Sequence, residues 1–86
     1  MLSPEARDDL IKRLRKIEGQ TQGIQRMLAH GRDCQEVLNQ LSSVRSATRS
    51  VSLELMRHQI EWSLHELHSP DADEVISKLI QLLMRA

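Results

Sequence analysis

Apolar residues recur along this chain at helical spacing, and nowhere in the strict alternation of a half-buried strand. Leu10, Leu14, Ile17, Thr21, Ile24 and Leu28 follow a 4-3-4-3-4 spacing, the heptad-like stripe of one helix face. Ser3-Pro4 precedes the stripe as N-cap and first helical residue, and Gly31 follows it as a stop. These signals predict a first helix over about residues 4–29. Gly19 and Gly23 fall inside it on a shared face, each costing about 1 kcal/mol relative to alanine. The expected return is close approach of another backbone to that face.

Asp33 and Glu36 form an Asp-x-x-Glu variant of the capping box. No Gly or Pro follows until Pro70, and a long stripe runs through Cys34, Val37, Leu41, Val44, Thr48, Val51, Leu55, His58, Trp62 and His65. The second helix is expected over about residues 34–67, roughly 50 Å at 1.5 Å per residue. One small chain cannot cover a stripe of that length, so a second copy must. Ser69-Pro70, with Asp71, Asp73 and Glu74 in the first turn, predicts a third helix over about residues 70–84. Val75, Ile76, Leu79, Ile80 and Leu83 are its apolar face. The fold class is all-α: a three-helix protomer, one domain over residues 1–86, pairing antiparallel into a four-helix-bundle-like core.

Composition fits helix-on-helix packing. There is no Phe or Tyr, one Trp62, and an apolar set of mostly Leu, Ile, Val, Met and Ala. The single cysteine, Cys34, cannot form an internal disulfide, which favours a reduced, cytoplasmic setting. No stretch approaches the roughly 20 apolar residues of a membrane span, and acidic residues follow the N-terminus too soon for a signal peptide. Net charge is zero but uneven: residues 1–31 hold six Lys/Arg against four Asp/Glu, whereas residues 61–86 hold two against five. Zero net charge argues against indiscriminate nucleic-acid binding and leaves room for a local basic face.

Cys34 and His58 share the stripe but stand 24 residues apart, roughly 36 Å along one helix. Antiparallel pairing about an axis near residue 46 brings Cys34 of one copy to His58 of the other, twice by symmetry. Ser43, Ser46 and Ala47 are small enough for close approach there. Thiolate with imidazole suits Cu(I), Zn(II), Ni(II) or Co(II). Cys34 also falls in a helix first turn, where the dipole favours negative charge and reaction with electrophiles. The plainer reading is a small cysteine and a seam histidine with no metal at all. No CxxC, HxxxH or CxxH pair is present, and His30, His65 and His68 read as surface or seam histidines. Lys12, Arg13, Arg15 and Lys16 cluster on the first helix, Arg26 follows, and Arg45 and Arg49 are an i, i+4 pair on the second. These suit phosphate contacts; the alternative is a solvated surface paired with Asp8, Asp9 and Glu18. No helix-turn-helix, zinc-finger or basic-zipper signature occurs.

Several spaced blocks go further than periodicity. Arg13-Leu14-Arg15-Lys16-Ile17-Glu18-Gly19-Gln20, Gly23-Ile24, Met27, Gly31-Arg32-Asp33-Cys34 and the run from Val37 to Ala47 strongly resemble the CsoR/RcnR/FrmR family of bacterial repressors. The resemblance implies a dimer-of-dimers tetramer that binds double-stranded operator DNA through the first two helices. On this chain the implied DNA-facing residues are Arg13, Arg15, Lys16, Arg45 and Arg49. It implies release when a metal, formaldehyde or sulfane sulfur engages Cys34. The family's metal sensors carry His 25 residues after that Cys, and Cys or His four further on; here Gln59 and Ser63 stand there. Persulfide sensors need the same second Cys, nickel and cobalt sensors an N-terminal His where this chain has Leu2, and formaldehyde sensors a processed N-terminal Pro, whereas Pro4 is internal. His58 lies one residue early, about 100° around the helix. Two other classes compete: a small dimeric helical enzyme of chorismate-mutase type, for which no acid/base pair accompanies the arginines, and a protein-interaction module using the acidic C-terminal region.

Overall fold

The computed structural model describes residues 2–66 and 72–85. Three helices, and no strand among the described residues, confirm the all-α class: α1 (Pro4–Ala29), α2 (Cys34–Glu66) and α3 (Ala72–Arg85). Ser69-Pro70 and Asp71, expected to open α3, and His68 lie outside the described residues.

Local chemistry sets the ends of α1. Ser3 Oγ accepts from the Ala6 backbone N–H at 3.1 Å, and Pro4 occupies the first turn. At the other end Gly31 takes φ +66°, while Arg32 N–H donates to Met27 C=O at 3.0 Å and Gly31 N–H to Leu28 C=O at 3.1 Å. That is the Schellman arrangement, which needs a residue at ease in the left-handed region. The start of α2 differs from the capping box expected there. Glu36 is held by Arg32, Nε to Oε2 2.9 Å, and no described bond joins the Asp33 carboxylate to the backbone. A guanidinium one turn back is a stronger partner for Glu36 than a neutral N–H.

The chain forms two compact units, Ser3–Val51 and a second from Ser52 onward. The first packs α1 on the N-terminal half of α2, and Leu10, Ile24, Val37 and Val51 are its buried core. The long stripes divide by heptad position. On α2, Val37 and Val51 are buried and Val44 half-buried, seven residues apart, whereas Leu41, Leu55 and Trp62 in the intervening positions stay 46%, 43% and 47% exposed. Positions seven apart return to nearly the same line on a helix; those three or four apart lie tens of degrees aside. One neighbouring helix covers one line only. On α3 the half-buried line is Val75, Leu79 and Leu82, while Ile76, Ile80 and Leu83 are exposed.

Gly19 and Gly23 do not admit a second backbone within the chain. A Cβ at Gly19 would meet nothing within 4 Å, and one at Gly23 only the end of the Arg26 side chain at 3.9 Å.

Candidate functional site

Arg13, Arg15 and Lys16 on α1 and Arg45 and Arg49 on α2 all fall in the Ser3–Val51 unit, and all are exposed. Of the three acids the sequence offered as partners, only Asp9 pairs with one of them: Asp9 Oδ2 lies 3.1 Å from Arg13 Nε. Arg15, Lys16, Arg45 and Arg49 have no ion-pair partner among the described residues. Arg7, Lys12 and Arg26 on α1 and Arg85 on α3 are likewise without an ion-pair partner among the described residues, whereas Arg32, Arg57 and Lys78 are neutralised by acids about one turn away. Arg57 sits between Glu54 (2.6 Å) and Glu61 (3.1 Å), and Lys78 lies 3.6 Å from Glu74. The Glu54 hydrogen bond, then the charges of Glu54 and Glu61, hold the Arg57 pKa above its ordinary value. Arg85 apart, unpaired positive charge is therefore gathered on α1 and the first half of α2.

Arg13 and Lys16 also line a groove of about 300 Å³ between α1 and α2, with Ile17, Gln20, Ala47 and Ser50. Gln20 Oε1 is fully covered and has no hydrogen-bond partner. Gln20 carries part of the family resemblance and Ser50 no signal in the sequence. Arg13, Lys16 and Gln20 are readable as one helix face, but their apposition to Ala47 and Ser50 is not.

Cys34 opens α2 as a free, exposed thiol. His58 belongs to the other unit; it is half-buried, with Nε2 3.5 Å from Glu54 Oε1. Glu54 is one turn before His58, a relation that the i, i+4 spacing of the sequence already carries. Gln59 Nε2 donates to Ser63 Oγ at 3.3 Å, and Ser63 is only 3% exposed. Both line a cleft of about 210 Å³ beside Trp62 and the start of α3. Among the other histidines, His30 Nδ1 bonds the Arg26 carbonyl at 2.7 Å and His65 is exposed.

The donor chemistry decides which of these residues suit a soft or borderline metal ion. The Cys34 thiolate and His58 imidazole suit it. Gln59 and Ser63 do not: a neutral amide and a hydroxyl, bound to each other, offer hard and weak donors. Among the described residues no group of three or more His, Cys, Asp or Glu is placed to hold a metal ion. The described residues of one chain therefore contribute donors and no closed site. No helix among the described residues is long and apolar enough to cross a membrane.

Comparison with known proteins brings these features together. The profile of a family described as metal-sensitive transcriptional repressor matches residues 6–85. The copper-sensing transcriptional repressor CsoR of Bacillus subtilis is 33% identical over 84 residues, covering 96% of this chain and 83% of that protein. The copper-sensing transcriptional repressor RicR of Mycobacterium tuberculosis is 48% identical over 52 residues, 60% of this chain and 54% of that protein. No solved structure gives a significant match.

Proposed function

The chain belongs to the metal-sensitive transcriptional repressor family, and from that premise we propose how it holds operator DNA and how an effector releases it. Its relatives are repressors and not enzymes, which sets aside the chorismate-mutase-type alternative. The observation that carries the DNA-binding surface is the excess of unpaired cations on the two helices of one compact unit, among them Arg15, Lys16, Arg45 and Arg49, joined by Arg13. Such cations displace counterions from phosphates without reading bases, and they need no helix-turn-helix.

A second copy completes the molecule in this reading. The exposed line Leu41, Leu55 and Trp62 supports antiparallel self-pairing, and the exposed Ile76, Ile80 and Leu83 of α3 support assembly of dimers into a tetramer. Pairing about residue 46 would set Arg45 and Arg49 of both copies on one surface. It would also bring the Cys34 thiolate to the His58 imidazole of the partner copy. Those two residues would hold the effector ion. Copper leads because two relatives are copper-sensing, and Zn(II), Ni(II) and Co(II) suit the same donors. A bound ion would supply a bond between helices of two copies. The ligands offered would be the Cys34 thiolate and the neutral His58 imidazole. An effector that favours an arrangement binding DNA poorly shifts the population off the operator. The setting is the cytoplasm, where Cys34 stays reduced.

Gel-shift titration with the DNA upstream of the protein's own gene tests this. A complex that forms, weakens on Arg45→Ala plus Arg49→Ala, and dissociates with Cu(I) in wild type but not in Cys34→Ala is the expected result. Unchanged affinity in the double variant would sink the surface assignment, and release of Cys34→Ala by Cu(I) would sink the effector assignment.

A further inference from the structure

We propose that the α1/α2 groove lined by Arg13, Lys16, Gln20 and Ser50 is a seat for a single phosphate group, in which Gln20 and Ser50 act as neutral donors beside the two cations. The proposal rests on the DNA-binding reading above and adds a location and two residues to it. The lining is Arg13, Lys16, Ile17, Gln20, Ala47 and Ser50, with two cations and no carboxylate. Asp9 holds Arg13 by Nε, which steadies the guanidinium and leaves its two terminal nitrogens for another acceptor. Lys16 has no ion-pair partner among the described residues.

Gln20 sharpens the assignment. Its Oε1 is fully covered and unpaired, yet the residue is only half-buried and lines the groove. The hydrogen-bonding group it can present to an incoming ligand is therefore its NH2, a donor. Ser50 adds a hydroxyl from α2, exposed and able to donate. Guanidinium, ammonium, amide NH2 and hydroxyl together match a tetrahedral anion and mismatch a cation or an apolar ligand. A covered polar atom left without a partner is rare in native folds and calls for an explanation. Here the cost falls on a residue whose other end serves the seat. Arg13, Lys16 and Gln20 recur at i, i+3 and i+7 on α1, so the groove fixes the position of a phosphate as well as attracting it. The phosphate can come from the DNA backbone or from a free anion.

Two experiments on the full chain separate these sources. The first measures affinity for the upstream DNA and for a scrambled duplex across salt concentrations. Lys16→Gln is expected to reduce the slope of log affinity against log salt by about 1. Gln20→Met and Ser50→Ala remove a neutral donor, so each should weaken both duplexes by about tenfold with the slope unchanged. Melting curves confirm that each variant folds, and Gln20→Glu, which keeps the shape and adds a negative charge, should weaken binding further. The second follows the Gln20 side-chain amide by NMR as inorganic phosphate is added against chloride of equal ionic strength. It should shift with phosphate alone, and DNA should displace the phosphate. Folded Gln20→Met and Ser50→Ala proteins that bind both duplexes like wild type would overturn the seat while leaving DNA binding intact. A changed ratio between the two duplexes would overturn it in favour of base reading. A phosphate-dependent shift in a protein that binds no DNA would keep the seat, assign it to a free anion, and reject the DNA reading.

Discussion

Gly19 is exposed, in the middle of α1, with open space where a Cβ would stand. Nothing within the chain requires glycine there, so Gly19→Ala should stabilise the folded protein by about 1 kcal/mol. Thermal unfolding would then rise by roughly 4–8 °C. A fall would mean that a second copy, absent from one chain's own packing, lies against that face. Ser63 makes the complementary point. The sequence shows a serine where family resemblance calls for a soft ligand; the structure adds that it is buried and bound by Gln59. Identity was legible at both positions. The bond from Gln59 is local, one turn away, but burial was not legible, because the atoms that cover a side chain come from several turns and elements away.

The ends of α1 depend on contacts within a few residues, and for that reason they were readable. Ser3→Ala removes the side-chain bond to the exposed Ala6 N–H of the first turn and should cost about 1 kcal/mol. Gly31→Ala forces a Cβ into the left-handed region and should cost about 1–2 kcal/mol. Both are checked by denaturant unfolding, where a midpoint equal to wild type would show that α1 does not rely on these caps. The start of α2 departs from the capping box because two local partners compete for Glu36. The box motif counts spacing alone, whereas Arg32 brings a full charge. Helix periodicity located all three helices, but it could not tell which half of each stripe a neighbour would cover.

That division governs the whole molecule. Leu41 and Leu55 are exposed in one chain although they belong to its most regular stripe. Leu41→Lys plus Leu55→Lys should therefore abolish self-association, measured by sedimentation, and leave the monomer's helicity largely unchanged. Retained dimers would place the pairing surface elsewhere. Truncating the alternate line instead, at Val37 or Val51, should unfold the unit itself, since those side chains are its core. Charge behaves likewise at this scale. A net charge of zero conceals a set of unpaired cations on one unit, Arg15, Lys16, Arg45 and Arg49 among them, and Arg45→Ala plus Arg49→Ala should lower the salt slope of DNA binding by about 2 per protomer engaged.

The sequence by itself determined the all-α class, the three helices, the caps of α1, the lone thiol and the family, all of which depend on period, spacing or short-range bonding. Tertiary structure decided which heptad line is covered, that Ser63 is buried, and that Gln20 and Ser50 join Arg13 and Lys16 in one groove. These are apposition facts. A helix repeats its pattern whichever neighbour it meets, so only packing can choose the face it buries and the charges it leaves free.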